Sequence, residues 1–255
     1  MNPRDSTAWL QYFERNCLDR PEPDWQRPSP FPAHVTARLA RSLAHFQLGE
    51  SGDGVMLLTE ARRTWADDPD YVAALVLFVA EEQEHARLLA RQVVRFGGDL
   101  ITSHWTHHWF QMVRRAFGVR FEIQTLLVAE IIGTAYYRLL RSTGDTVLRQ
   151  MCELMLRDEA AHLRFHADRI VIEQLRWSHV ARALWTVRFR CLLRLAVAAA
   201  WVDHRSALRA AGINHRLFGS EARNEGREWL LRRAAASRTG RTGRSRRRWL
   251  SPRHC

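Results

Sequence analysis

The hydrophobic and polar positions of this chain follow helical spacing, and its breakers are gathered at a few points. Seven of the eight prolines fall at or before position 69 and the last is Pro252, so residues 70 to 251 run without proline while Leu, Ala, Arg and Glu dominate. An all-α protein is expected. Residues 1–32 hold Trp9, Tyr12, Phe13 and Trp25, then Pro21, Pro23, Pro28, Pro30 and Pro32, which reads as a short aromatic helix and an extended arm lying across the rest. A first core helix is expected from Ala33 to before Asp67-Asp68-Pro69, where Asp68 as N-cap and Pro69 as first helical residue open a second that stops at Gly97-Gly98. Residues 99–117 form a crossover rich in His and Trp, a third helix covers 118–141, Ser142-Thr143-Gly144-Asp145 turns the chain, and a fourth covers 146–176. A fifth helix near 178–203 and a shorter helical stretch around 206–232 precede a Gly/Ser/Arg tail expected to be disordered. The expected units are an N-terminal arm (1–32), a four-helix unit (33–176), additional C-terminal helices (177–232) and the tail (233–255).

One motif occurs twice in this helical pattern, as Glu81-Glu82-Gln83-Glu84-His85-Ala86-Arg87 and as Asp158-Glu159-Ala160-Ala161-His162-Leu163-Arg164. Residues three apart on a helix lie about 60° apart around its axis, so Glu82 with His85, and Glu159 with His162, each offer oxygen and nitrogen from one face. Helix three adds Glu130 within the apolar run Leu126-Leu127-Val128-Ala129-Glu130-Ile131-Ile132, where a lone ion would cost several kcal/mol to bury and needs a positive partner such as a metal. Glu130 precedes Glu159 by 29 positions, which suits antiparallel helices meeting about 15 residues either side of a turn. Helix one offers Glu50 or Asp53, and Glu50 is preferred. The surrounding Gly49-Glu50-Ser51-Gly52-Asp53-Gly54 is expected to kink or open the helix, leaving space beside the metals; a loop that removes Glu50 from the site is the competing reading.

Over residues 33–176 the chain resembles the ferritin-like superfamily of diiron-carboxylate proteins, on Glu50, Glu82, His85, Glu130, Glu159 and His162. The resemblance implies a four-helix bundle with one long crossover and two irons bridged by Glu82 and Glu159. His85 and His162 would each take one metal, with Glu50 and Glu130 as terminal ligands. Manganese, or a mixed manganese and iron pair, suits the same donors. Asp158 and Glu81 are each candidates to hydrogen-bond the histidine of the opposite motif. Gln47, Tyr137 and His166 share the ligand faces: Gln47 as hydrogen-bond donor, Tyr137 as a phenol beside the site or in the core, His166 as a seventh ligand or a hydrogen-bonded helix histidine. The chain departs from rubrerythrin in lacking the cysteine pairs of a rubredoxin domain.

Composition narrows the chemistry. All 39 basic residues are arginine, and the absence of lysine excludes a Schiff base to pyridoxal phosphate, a lysine aldolase and the usual P-loop. Nine of the twelve net positive charges lie in residues 231–255, so the rest of the chain is nearly neutral and the tail is the candidate contact for RNA or an anionic surface. Cys17, Cys152, Cys191 and Cys255 form no CxxC, which fits a reduced, cytoplasmic setting. The most apolar run, about 192–202, is too short to span a bilayer and contains Arg194. His104 and His108 lie one helical turn apart without a neighbouring acid or cysteine and read as an aromatic cover. The reading favoured is a diiron oxidoreductase using dioxygen or peroxide and an external electron donor. A ferroxidase and a tRNA hydroxylase using the basic tail are the alternatives, and a homodimer is compatible with each.

Overall fold

The computed structural model describes residues 5–18, 20–105, 112, 118–175 and 177–248, with side chains through 231. Among these residues the regular structure is entirely helical. The helices are α1 (Ser6–Asn16), α2 (Ala33–Glu50), α3 (Val55–Thr64), α4 (Pro69–Arg95), α5 (Val119–Leu140), α6 (Thr146–Gln174), α7 (His179–Ala210) and α8 (His215–Arg248).

Local chemistry explains most boundaries. The Asp68 carboxylate accepts from the Tyr71 amide ahead of Pro69, Asp145 accepts from the Leu148 amide, and Ser178 from the Ala181 amide, each satisfying an amide that the first helical turn leaves free. Gly97 adopts φ +73° at the end of α4, and the Gly98 amide reaches back to the Val93 carbonyl, closing the helix. Asp145 also takes the Arg95 guanidinium at 3.1 Å, so one buried carboxylate joins the end of α4 to the start of α6.

The first core helix is not continuous to position 66 as expected. It ends at Glu50, residues 51–54 cross over, and α3 begins at Val55. Gly54 forces the break with φ +66°, a conformation that favours glycine. The next break also differs: α7 runs on to Ala210, and Gly212 at φ +78° ends it, with the Ile213 amide bonded to the Leu208 carbonyl. The chain beyond 232, expected to be disordered, continues α8 through Arg248, because its alanines and arginines are strong helix formers that offset Gly240 and Gly243. Most of the crossover, including His107 and His108, lies outside the described residues, as does Trp249.

α2 packs along α4, α5 along α6, and α4 against α6, so the two repeated motifs face each other. α1 lies across α4, where Trp9 and Phe13 are buried against Phe165. α7 covers α2 and α5, and α8 packs on α5, α6 and α7. Trp185, Phe189 and Trp229 stack in the α7–α8 seam with centroids 5.2 to 5.7 Å apart.

The break at 51–54 is testable. A Cβ on Gly54 would sit 2.8 Å from a Val79 methyl in a left-handed conformation, whereas one on Gly49 meets nothing within 4 Å. In urea melts, Gly54→Ala is expected to destabilise by about 2 kcal/mol or more. Gly49→Ala, inside α2, is expected to stabilise by about 0.5 to 1 kcal/mol.

Candidate metal centre

α4 and α6 bring the two motifs together so that one ligand atom from each of Glu82, His85, Glu159 and His162 lies within 4.8 Å of the others. His162 Nδ1 is 2.9 Å from Glu82 Oε1, and His85 Nδ1 is 3.6 Å from Glu159 Oε1 and 3.8 Å from Glu82 Oε1. Glu159 Oε2 lies 3.9 Å from His162 Nδ1, so each motif glutamate reaches both imidazoles. Both histidines and Glu159 are fully buried, and Glu82 is nearly so.

Each imidazole is turned by an acid of the opposite motif. His85 Nε2 lies 3.2 Å from Asp158 Oδ2, and His162 Nε2 lies 2.9 Å from Glu81 Oε2. The two Nδ1 atoms are thereby directed at the glutamates, the way an outer acid orients a metal-binding histidine. Glu82 Oε1, His85 Nδ1, Glu159 Oε2 and His162 Nδ1 are buried and form no hydrogen bond. Two donors sharing an ion at bond lengths near 2.1 Å sit about 3 to 3.5 Å apart, close to the separations observed. A buried set of imidazole and carboxylate atoms, close to one another but without hydrogen bonds and at coordination spacing, could hold a metal ion.

The remaining carboxylates close around this set. Glu130 on α5 is buried, with Oε2 3.9 Å from His162 Nδ1 and Oε1 3.8 Å from His166 Nε2. Both ring nitrogens of His166 lack a hydrogen bond, so His166 stands beside Glu130 as an additional donor. Glu50 is the last residue of α2, yet the helix end keeps it at the site: the Tyr137 hydroxyl donates to Glu50 Oε1 at 3.4 Å. Asp53, the alternative, is exposed, and its carboxylate accepts from the Val55 amide at the start of α3. Gln47 is half-buried and does not line the cavity at the site; its carbonyl accepts from the Ser51 amide. Arg87 pairs with Glu84 and Glu22 away from the histidines.

The electrostatics are those of crowded anions. Burial and the charge of Glu82 push the Glu50 carboxyl well above the usual range, and burial with the charge of Glu130 does the same to Glu159. Glu130 goes down well below it: the Glu159, His162 and His166 side chains grouped around it, with the positive charge of His162, outweigh its burial. His162 is raised, because the Glu82 charge and the neighbouring Glu130 and Glu81 carboxylates outweigh desolvation. Burial and the nearby Glu50 charge raise the Tyr137 phenol.

Two functional contacts were not legible in the sequence. Asn16 Nδ2, at the end of α1, donates to Glu81 Oε1 at 2.6 Å and to Asp158 Oδ1 at 3.0 Å. Arg20 pairs with Glu81 at 3.0 Å and also with Asp158. The N-terminal arm thus neutralises both histidine-orienting acids, and no local pattern marks a lone Asn or Arg for that role. Gly133 was also missed: a Cβ there would lie 3.9 Å from Glu159 Oε1, so glycine leaves room beside that carboxylate.

Glu50, Glu82, Glu130 and Glu159 line one cavity of about 590 Å³ with Phe78, Val128, Ile132, Leu192, Ala196 and Ala200. Leu195 and Trp105 line it while being more than half exposed, so it opens to the surface there. No protein-family model, no curated protein and no solved structure matches this chain. No family assignment follows. The chemistry of the centre rests on its own residues.

The pH dependence of the metal-free protein follows from these shifts. Glu50, Glu159 and His162 have raised values when folded, so the native state holds protons that the unfolded chain releases, and their stabilisation is lost as pH rises through the raised values. Above pH 7 the unfolded histidines are mostly neutral, so the opposing effect of His204, buried and shifted down to about 3, has ended. The melting temperature of chelator-treated protein is therefore expected to fall from pH 7 to pH 9. The increment added by a bound divalent metal, measured in the same scans, should grow over that interval because the ligands bind deprotonated.

Proposed function

We propose that this protein is a dimetal-carboxylate oxidoreductase that uses dioxygen or peroxide on an apolar small molecule. In this reading α2, α4, α5 and α6 form a ferritin-like four-helix unit with residues 99–117 as its long crossover. The observation that carries the reading is the mirrored arrangement in which Glu81 and Asp158 turn two buried histidines onto two shared glutamates that open into an apolar cavity.

Glu82 and Glu159 would bridge two ions, His85 and His162 would each hold one, and Glu50 and Glu130 would complete the set. Four carboxylates facing two divalent cations balance in charge, which relieves the repulsion that raises Glu50 and Glu159. The donors suit iron or manganese. Bound iron would supply one-electron chemistry toward dioxygen or peroxide, with an external donor returning the electrons. The chain's own part is to hold the carboxylates, keep water out with Phe78, Val128 and Ile132, and seat the substrate in the cavity. Tyr137, bonded to Glu50, steadies the carboxylate at the open end of α2 and can hold a proton there.

The cavity favours an organic substrate over iron storage, since an apolar wall reaching the metal ligands serves no purpose in passing hydrated iron. A tRNA substrate would draw on the tail arginines.

The test is metal content per chain after purification without chelator, followed by anaerobic reduction and exposure to oxygen while the near-ultraviolet spectrum is recorded. Two irons or manganese ions per chain are expected, with new absorption on oxygen exposure. Glu82→Ala and Glu159→Ala should each abolish two-metal binding and remove the metal-dependent rise in melting temperature. Unchanged metal content in both variants, or no uptake on reconstitution, would overturn the reading.

A further inference from the structure

The same cavity has a second polar cluster that the dimetal reading leaves unused. His45 on α2 and Asp203 and His204 on α7 all line it, and one ligand atom from each lies within 4.8 Å of the others. His45 precedes Glu50 by five residues, about 7.5 Å of helical rise, and both line the same cavity.

We infer that His45, Asp203 and His204 form a mononuclear site for a divalent cation of the zinc type, with a coordination position open to the cavity. His45 Nδ1 lies 3.2 Å from Asp203 Oδ2, and His204 Nε2 lies 3.8 Å from the same oxygen. Tetrahedral zinc with bonds near 2.0 to 2.1 Å sets neighbouring donors about 3.4 Å apart, between these two values. His45 Nδ1 is buried and makes no hydrogen bond, although Asp203 Oδ2 is only 3.2 Å away. That is the relation of two donors on a common ion, not of a donor and its acceptor.

The other nitrogen of His204 is already committed. Nδ1 lies 2.8 Å from Ser42 Oγ, which in turn lies 2.6 Å from the Tyr136 hydroxyl, so Nε2 faces Asp203. An outer oxygen on one ring nitrogen, leaving the other to the metal, is how ligating histidines are oriented. His104 supports the cluster from the side: its ring stacks on His45 with centroids 3.8 Å apart, and its Nε2 is 3.4 Å from the other Asp203 oxygen. The acid that His104 lacks in its own sequence neighbourhood is supplied by α7. Two histidines and one carboxylate with a vacant position match the ligand count of catalytic rather than structural zinc sites. The cation would offer the cavity a positive anchor for a carboxylate or carbonyl group of the substrate.

The inference is independent of the dimetal reading, and Co²⁺ titration of the full-length, metal-depleted chain tests both. Tetrahedral Co²⁺ gives intense visible absorption, so the site has its own signature. Wild type is expected to bind three equivalents, His45→Gln and Asp203→Asn two, and Glu82→Ala one. The intense band should be lost in the first two variants and kept in the third. His45→Gln keeps a polar side chain of similar reach at a partly exposed position, and its metal-free melting curve checks that it folds. Equal stoichiometry and spectrum in wild type and both cluster variants would overturn the inference even if two equivalents bind elsewhere. One equivalent in wild type and none in His45→Gln would uphold it and overturn the dimetal reading.

Discussion

Burying several carboxylates among apolar helices is the constraint on which the rest of this structure depends. Glu130 and Glu159 are buried, with apolar Leu127 and Met155 one turn before them, and each would be costly as an isolated ion. The protein handles this in two layers. Arg20 and Asn16 neutralise and bond Glu81 and Asp158, and those acids in turn fix His162 and His85. What remains is an inner group of four glutamates, Glu50, Glu82, Glu130 and Glu159, that face the imidazoles of His85, His162 and His166 and the Tyr137 hydroxyl. The outer layer behaves as a satisfied ion network, while the inner layer has the character of a ligand set.

That division explains the placement of otherwise peripheral elements. α1 packs its aromatic face on α4 and α6, and through Asn16 it closes the site from one side. On the other side the break at 51–54 ends α2 at Glu50. The small residues Gly49, Gly52 and Gly54, with Gly133 opposite, widen the space in front of the carboxylates. α7 completes the cavity with Leu192, Leu195 and Ala196 and brings Asp203 and His204 beside His45. A single apolar volume therefore joins two clusters of imidazole and carboxylate.

The parts legible in the sequence were those encoded over a few residues. Asp68-Pro69, Asp145 and Gly97-Gly98 mark helix ends through bonds made within one turn, and the structure places those ends within a few residues of expectation. Two glutamates each followed three residues later by histidine announce one helical face because helix geometry is local. The glycine-rich stretch was ambiguous, because both a kink and a loop are compatible with it. The chain resolves it as a loop that nevertheless keeps Glu50 against Tyr137. The extension of α8 through Arg248 went against the compositional expectation, which weighs glycine and charge and not the helix-forming strength of alanine and arginine.

The sequence by itself determined that the chain is helical, where most helices begin, and which faces carry donor atoms, since these depend on interactions between residues three or four apart. Only the tertiary structure decided that Asn16 and Arg20 neutralise the orienting acids, that Glu50 and not Asp53 faces the cavity, and that Asp203 meets His45 and His104. Those pairings are set by how helices far apart in the chain pack against one another. Packing is governed by the whole apolar surface being buried, so no short window of sequence contains it.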